Sequence, residues 1–503
     1  MSYAHKITRA TFNVLVLSLV AAILGYFLRI YLAHSLSVEN FGLFYSVLSL
    51  TTLLFLFKDF GLGPALAKYI PEFYHKNEGA KIKPAIFTSY VFQFLVGIVI
   101  TVIVMLASPY LAANFFKTDA SVPVLLFLMV EFLFASTTVK YGLQGLQFIK
   151  SYALMEVARI SVVILSVLFL LEKSAVGVAS AYLLSSIIVQ IIFSAYILSK
   201  TRGAEGKWKI DSDIFYKLFK FGSYFLYGGI AGFLLSYTDT LALTALRTLG
   251  DVGLYQVAIS TSQVMWGIAI ALSVVLMPMI SEMWAKNEKE KVSKGVSFLL
   301  KYVMIVLVPA FILMATFSEI VINILFGSRY LGASTSLQIL SFGAIFYSLM
   351  TIYSTTLSSV GRPDISTKIT IGIGALNLVG NVILVQIVGV VGAAIATTSA
   401  YFVGFCLYHI NFRHLISVHV DKAEIAKIIA GALLALALVY GFKEAVYMDV
   451  FVESIISIFI AIVAYSAFIV KSKIIKKDDL LILKASRLPI PNALFRILER
   501  NSR

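Results

Sequence analysis

Long apolar runs, each about the length of a bilayer crossing, recur from one end of this chain to the other, separated by short polar links. A transmembrane helix needs about 20 predominantly apolar residues. The pattern predicts fourteen helices, over 11–35, 41–69, 85–107, 122–141, 153–171, 176–198, 221–246, 252–283, 297–316, 333–357, 367–387, 390–412, 426–445 and 451–470. The second and eighth are longer than a crossing requires, which predicts tilt or protrusion. Only Val388 to Val390 joins the eleventh to the twelfth, making these an antiparallel pair. A single such run could be a buried core helix, but a dozen or more could not. The fold class is therefore an all-α polytopic membrane protein.

Composition agrees: 60% of residues are hydrophobic and 13% charged, with a mean hydropathy of +0.92, whereas a soluble domain carries about 25% charged residues. The net charge of +15 would point to nucleic acid in a soluble protein. Here the basic residues lie in short loops and set orientation instead. With the N-terminus inside, about 35 of the 41 Lys and Arg fall on the inner side. Only Lys117, Lys173, Arg247, Arg329 and Lys443 fall outside, and Arg29 lies within a span. This predicts a cytoplasmic-membrane protein with both termini in the cytoplasm and no nucleic-acid partner. The first apolar run, Thr11 to Leu36, exceeds the roughly 7–15 apolar residues of a cleaved signal, so it reads as a retained span.

The longest polar connection, Ser199 to Lys220, separates the first six spans from the next six. The two halves repeat. Asn40-Phe41-Gly42-Leu43-Phe44 matches Asp251-Val252-Gly253-Leu254-Tyr255, Gly145 matches Gly361, and Val176-Gly177-Val178-Ala179 matches Val391-Gly392-Ala393-Ala394, at offsets of 211, 216 and 215 residues. Six spans per half is an even number, so both halves enter the membrane from the same side, as in transporters built of parallel repeats. This predicts two pseudo-symmetric six-helix lobes, 1–200 and 221–413, flanking a cleft. A cytoplasmic linker spans 201–220, and residues 414–503 hold two extra helices and a basic tail. The tail, with Leu494-Phe495-Arg496-Ile497-Leu498, reads equally as lying on the inner membrane surface or as solvated.

No catalytic or metal motif is present: there is no Walker A sequence, no HExxH and no Cys/His cluster. His5, His75 and His414 read as solvated, and the single Cys406 as a small buried residue. No cofactor is called for, and the chain does not read as an enzyme. The informative residues are charges inside spans, since an ionisable group at membrane depth normally faces a cavity or a partner. Arg29, Lys58, Asp59, Arg159 and Asp239 are the candidate cleft residues. Glu131 and Asp239 are candidates for Na⁺ or H⁺ coupling. Glu156 and Arg159, three apart, can also form an intrahelical pair. Lys68, Lys140 and Arg247 read as snorkelling helix-end residues. Asn377 and Asn381 share a helix face and favour an interhelical bridge over sugar binding. Arg and Lys in a cleft favour an anionic phosphate or diphosphate headgroup.

Several motifs resemble the polysaccharide-transporter branch, the O-antigen flippase type, of the multidrug/oligosaccharidyl-lipid/polysaccharide exporter superfamily. They are Phe41-Gly42-Leu43-Phe44, Asp59-Phe60-Gly61-Leu62-Gly63, Lys68-Tyr69-Ile70-Pro71-Glu72, Asp239-Thr240, Val252-Gly253-Leu254-Tyr255, Leu325-Phe326-Gly327, Gly361-Arg362, Asn377-Leu378 and Val391-Gly392-Ala393-Ala394-Ile395-Ala396-Thr397. Their order covers roughly residues 8 to 415. The resemblance implies a twelve- to fourteen-helix, two-lobed flippase that moves a polyprenyl-phosphate or polyprenyl-diphosphate sugar chain to the outer leaflet by alternating access. Its implied partners are lipid-linked oligosaccharide, membrane lipids and polysaccharide assembly enzymes. The implied cleft cations fall on Arg29, then on Lys58 and Arg159. The alternatives are a cation-coupled multidrug exporter of the same fold, which would want an acidic aromatic cleft, and a membrane-embedded polymerase, which would want a large outer catalytic loop.

Overall fold

The computed structural model describes residues 3–169, 172–203, 205–418, 421–445, 450–476 and 479. The tail segment Leu494–Leu498 lies outside them. Among the described residues the chain is all helix, in sixteen α-helices. They are α1 (Tyr3–Ser35), α2 (Val38–Asp59), α3 (Leu62–His75), α4 (Ile82–Tyr110), α5 (Ser121–Phe134), α6 (Thr137–Gly145), α7 (Ile149–Phe169), α8 (Ala175–Lys200), α9 (Ser212–Leu246), α10 (Leu249–Ala285), α11 (Lys289–Thr316), α12 (Ser318–Phe326), α13 (Ser334–Ser359), α14 (Pro363–Arg413), α15 (Lys422–Ala445) and α16 (Val450–Lys471). Among the described residues, twelve helical segments are long and apolar enough to cross a membrane. That number treats α14 as one, although non-helical backbone at Val388 and Gly389 divides it into two helices at the predicted link. It also leaves aside α10, a helix of 37 residues.

The over-long second span has a different cause from tilt. It is two helices, α2 and α3, broken at Phe60 and Gly61, both in the left-handed region with φ of 47° and 72°. The predicted fourth span is likewise broken, at Ala135 and Ser136, into α5 and α6. Short polar side chains start many of the helices. Ser37 accepts the Asn40 amide, Ser136 the Thr138 amide, Ser174 the Gly177 amide and Asp211 the Ile214 amide, each satisfying a backbone donor that the helix leaves open.

Two compact units result. One comprises Met1–Gln256 with Gly374–Ala393, the other Val257–Ile373 with Ala394–Arg503. Their boundaries fall inside α10 and α14, whereas the sequence repeat divides the chain at the polar Ser199–Lys220 segment. In the first unit, α3 buries Leu62, Leu66, Tyr69, Ile70 and Phe73, spaced for one helix face. They pack with Val139 and Leu143 of α6, Val189 and Phe193 of α8, and Ile214 and Leu218 of α9. In the second unit α11 lies against α13 and α15, and α15 pairs with α16. Here the Lys301 ammonium, almost wholly buried, sits 2.6 Å from Asp479 and 3.3 Å from Glu424.

The break between α2 and α3 depends on glycine twice. A Cβ on Gly61 would lie 2.1 Å from the Gly222 carbonyl oxygen of α9, and Gly61 already holds a positive φ. Gly61→Ala is expected to lower stability by about 2 kcal/mol or more, from strain and backbone clash together. Gly228→Ala, at an exposed position of α9 where a Cβ meets nothing within 4 Å, is expected to be neutral or slightly stabilising. Melting of the purified protein in detergent checks both, and equal melting of Gly61→Ala and wild type would reject the close-approach account.

Candidate functional site: a basic cavity in the first unit

The charges within the spans fall into two groups. The first group satisfies backbone at helix breaks. Lys58, the penultimate residue of α2, is only 1% exposed. Its ammonium donates to the carbonyl oxygens of Phe132, Leu133 (3.1 Å) and Ala135 (2.6 Å) at the end of α5. These are carbonyls that the end of a helix leaves unpaired, and they carry the negative end of its dipole. Gly97 of α4 makes room, since a Cβ there would approach the lysine Cε to 3.2 Å.

Asp59 points the other way, to the starts of α3 and α6. Its Oδ1 accepts from the Gly63 amide at 3.2 Å, from Gln93 Nε2 at 2.9 Å and from the Thr137 hydroxyl. Gln93 also holds Ser136, the N-cap of α6, at 2.7 Å. A carboxylate at two helix N-termini and an ammonium at a C-terminus are each favoured by the local dipole. Two further cations do the same work elsewhere. Lys117 donates to the Ala245 and Arg247 carbonyls at the C-terminal end of α9 at 3.0 and 3.3 Å. Arg247 donates to the Val385 and Gln386 carbonyls at 2.8 and 2.6 Å, just before the α14 kink.

Asp239 of α9 also lies within helix packing. It is 2% exposed, accepts the Tyr255 hydroxyl of α10, and accepts the Thr240 amide at 2.7 Å. Beside it Gln256 donates to the Thr240 hydroxyl at 2.8 Å, and Thr244 to Ser46 of α2 at 2.8 Å. Asn377 accepts from Thr238 at 2.9 Å and from Asn381, so the asparagines bridge α14 to α9.

The second group lines a cavity of about 310 Å³ between α1, α6 and α7. Ser18, Ala22 and Gly25 of α1 form one wall, and Lys140, Tyr152, Glu156 and Arg159 form the other. A Cβ at Gly25 would meet nothing within 4 Å, so that wall is open. Glu156 is the hub: its Oε1 takes Arg159 at 2.6 Å and its Oε2 lies 3.4 Å from Lys140. Arg29 follows Gly25 by one turn on the same stripe of α1. Its guanidinium stands over the Tyr45 ring, 4.3 Å from the centroid, and donates to the Tyr45 hydroxyl at 3.0 Å. Tyr182 of α8 lies in the field of both arginines, and Arg159 covers its ring at 5.8 Å. Among the described residues Arg29 has no carboxylate partner. One carboxylate therefore faces two cations in the cavity, and Arg29 adds a third nearby. Glu131 of α5, half-buried, accepts Ser186 of α8 at 2.6 Å and lies within the field of Arg159 and Lys58.

Of the sequence candidates, then, Arg29 and Arg159 are brought together, Glu131 stands beside them, and Lys58, Asp59 and Asp239 are engaged in the helix framework. Sequence reasoning treated Lys140 as a helix-end residue. Its place in the cavity follows from the break before α6, which shifts the end of the predicted fourth span.

The comparisons with known proteins agree with this architecture. The family of polysaccharide biosynthesis proteins matches residues 7–284. An uncharacterized membrane protein of Methanocaldococcus jannaschii is 30% identical over 478 residues, 91% of this chain and 94% of that one. A probable low-salt glycan biosynthesis flippase of Haloferax volcanii, Agl15, is 26% identical over 298 residues, 59% of this chain and 62% of that protein's length. Among solved structures, the lipid II flippase MurJ in an inward closed conformation superposes with a TM-score of 0.73 at 16% identity, covering 90% of this chain and 97% of that one. An inward-facing multidrug resistance MATE family transporter superposes at 0.65 and 15% identity, over 78% and 95%. The chain belongs to the polysaccharide biosynthesis protein family. It is a multi-pass membrane protein.

Lys58→Met is expected to cost about 2 kcal/mol of stability, because it strips donors from three buried carbonyls. Lys68→Met, at an exposed position, is expected to stay within about 0.5 kcal/mol of wild type. The melting temperatures of the two variants in detergent decide this, and equal values would show that Lys58 does not support the break.

Proposed function

We propose that this protein translocates lipid-linked oligosaccharide, a sugar chain on polyprenyl phosphate or diphosphate, from the cytoplasmic to the outer leaflet of the cytoplasmic membrane. The observation that carries the reading is the net basic cavity at membrane depth, with Lys140 and Arg159 in its wall and Arg29 one turn away. Uncompensated cations there need an anion or water, and guanidinium groups match phosphate oxygens in bidentate fashion. Membership of a polysaccharide biosynthesis family, and the likeness to a probable glycan biosynthesis flippase, support a glycan cargo. The internal repeat dividing 1–200 from 221–413 supports alternating access. The inward excess of loop Lys and Arg supports cytoplasmic termini.

In this reading Arg29 and Arg159 bind the phosphate, and Glu156 holds Arg159 until the headgroup competes for it. Lys58 and Asp59 position the two broken helices rather than touch the cargo. Coupling to Na⁺ or H⁺ falls to Glu131, whose one hydrogen bond among the described residues is to Ser186, in preference to Asp239, whose two carboxylate oxygens are both hydrogen-bonded. Assembly enzymes of the polysaccharide would supply the cargo and consume it. The MATE likeness is one of fold at 15% identity, and a cavity with more cations than carboxylates suits an anion better than a cationic drug.

Leaflet transfer of a polyprenyl-diphosphate oligosaccharide in proteoliposomes tests the proposal. Arg29→Ala is expected to slow transfer at least about tenfold, the loss of one charge-assisted hydrogen bond, with unchanged melting. Arg29→Lys is expected to retain part of the rate. Transfer at the wild-type rate by Arg29→Ala would remove the headgroup from this cavity. Dye efflux without glycan transfer would favour the drug-exporter alternative.

A further inference from the structure

A second cavity, of about 430 Å³, lies in the second unit, between the first turns of α14 and the end of the same helix beyond its kink. Ile365, Lys368, Ile369 and Gly372 form one wall, at i, i+3, i+4 and i+7, a single helix stripe. Leu407 and Asn411, at i, i+4, face them. The walls are graded. Arg362, Asp364 and Lys368 stand at the polar end, and Ile365, Ile369, Gly372 and Leu407 carry the lining on into the span. Arg362 is engaged by Asp364 at 3.1 and 3.2 Å. Lys368 has no carboxylate partner among the described residues and is exposed.

The floor is fixed. The Tyr408 hydroxyl, 1% exposed as a residue, bonds Ser366 Oγ at 2.8 Å and Thr370 Oγ1 at 3.1 Å, and Ser366 bonds Ser354 of α13 at 2.6 Å. Leu407, in the lining, is 37% exposed, and Ile371 and Ile410, three residues beyond Lys368 and Leu407 on the same helix, are exposed too. In a bilayer such side chains face acyl chains. At Gly372 a Cβ would meet nothing within 4 Å, which leaves a notch in the helix face below Lys368.

We propose that this groove holds an anionic lipid of the surrounding membrane. The phosphate sits on Lys368 with Asn411 beside it, and an acyl chain runs through the Gly372 notch past Ile369 and Leu407. The charge gradient selects this occupant. A cation at the headgroup level above an apolar channel open to lipid fits an anionic amphiphile. It does not fit a free solute, which would leave the channel unfilled, or, with Asp364 already taken by Arg362, a zwitterionic lipid, whose ammonium would meet Lys368. The site is separate from the cavity assigned to the cargo and does not depend on that assignment.

Native mass spectrometry of the full chain, released from micelles holding equal phosphatidylglycerol and phosphatidylcholine, tests the proposal. Wild type is expected to retain phosphatidylglycerol selectively. Lys368→Ala is expected to weaken that retention about tenfold, as for one charge-assisted contact, and Lys368→Arg to restore it. At Gly372 an added Cβ meets nothing within 4 Å, so Gly372→Leu projects into the notch from an unobstructed Cβ and removes a helical glycine; it is expected to fold and to lose the lipid. Equal retention of the two lipids, or wild-type retention by Lys368→Ala and Gly372→Leu, would overturn the site. Displacement of phosphatidylglycerol by inorganic phosphate would reassign it to a free anion. Displacement by polyprenyl phosphate in preference to phosphatidylglycerol would reassign it to the cargo. Either result refutes the membrane-lipid proposal.

Discussion

Backbone hydrogen bonding in hydrocarbon governs this structure. A helix that breaks inside a membrane leaves amides and carbonyls with no water to receive them, so the protein itself must supply partners. Here two adjacent spans break at similar depth, between α2 and α3 and between α5 and α6. A neighbouring Lys-Asp pair serves both. Lys58 takes the carbonyls that close α5, and Asp59 takes the donors that open α3 and α6. Arg247 does likewise at the α14 kink. These charges are costly alone and stable together because each meets a helix end of opposite polarity.

That use accounts for much of the charge within the spans and isolates the remainder. Arg29, Lys140 and Arg159 close no helix end among the described residues. They gather instead along an open stretch of α1 and α7, with Glu156 as the one carboxylate lining that cavity. A net positive cavity is tolerated at membrane depth only with water or an anion in it. The backbone-satisfied framework around the breaks and the aromatic shelf of Tyr45 and Tyr182 hold the cations in place. Function would thus reside in the charges that the framework does not consume.

Much of this was legible in the sequence. The span pattern, the Val388–Val390 link and the all-helical class follow from hydropathy, because apolar length is a bilayer's first demand. The asparagine bridge of α14 was legible from i, i+4 spacing. The breaks were not, because Asp59-Phe60-Gly61 and Ala135-Ser136 sit in runs that remain apolar on average. Their signal is local: Gly61 in a short polar interruption, and Ser136-Thr137 offering an N-cap. Missing them led to an over-long second span and placed Lys140 at a helix end. The contrast between Lys58 and Arg29 could not be read from composition either, since both are single cations at membrane depth. What separates them is the tertiary neighbour, three carbonyls in one case and a tyrosine in the other.

Water access separates the two groups of charges most directly. In a Cys406→Ser background, single cysteines at Ala22, Ser136 and Leu95 can be exposed to a membrane-impermeant thiol reagent, which reacts only with hydrated thiolate. Labelling is expected at Ala22, in the cavity wall, and not at Ser136, in the sealed break, or at Leu95, on the exposed apolar face of α4. Labelling at Ser136 with none at Ala22 would mean that water and charge meet at the breaks, and the division between framework and site would fall.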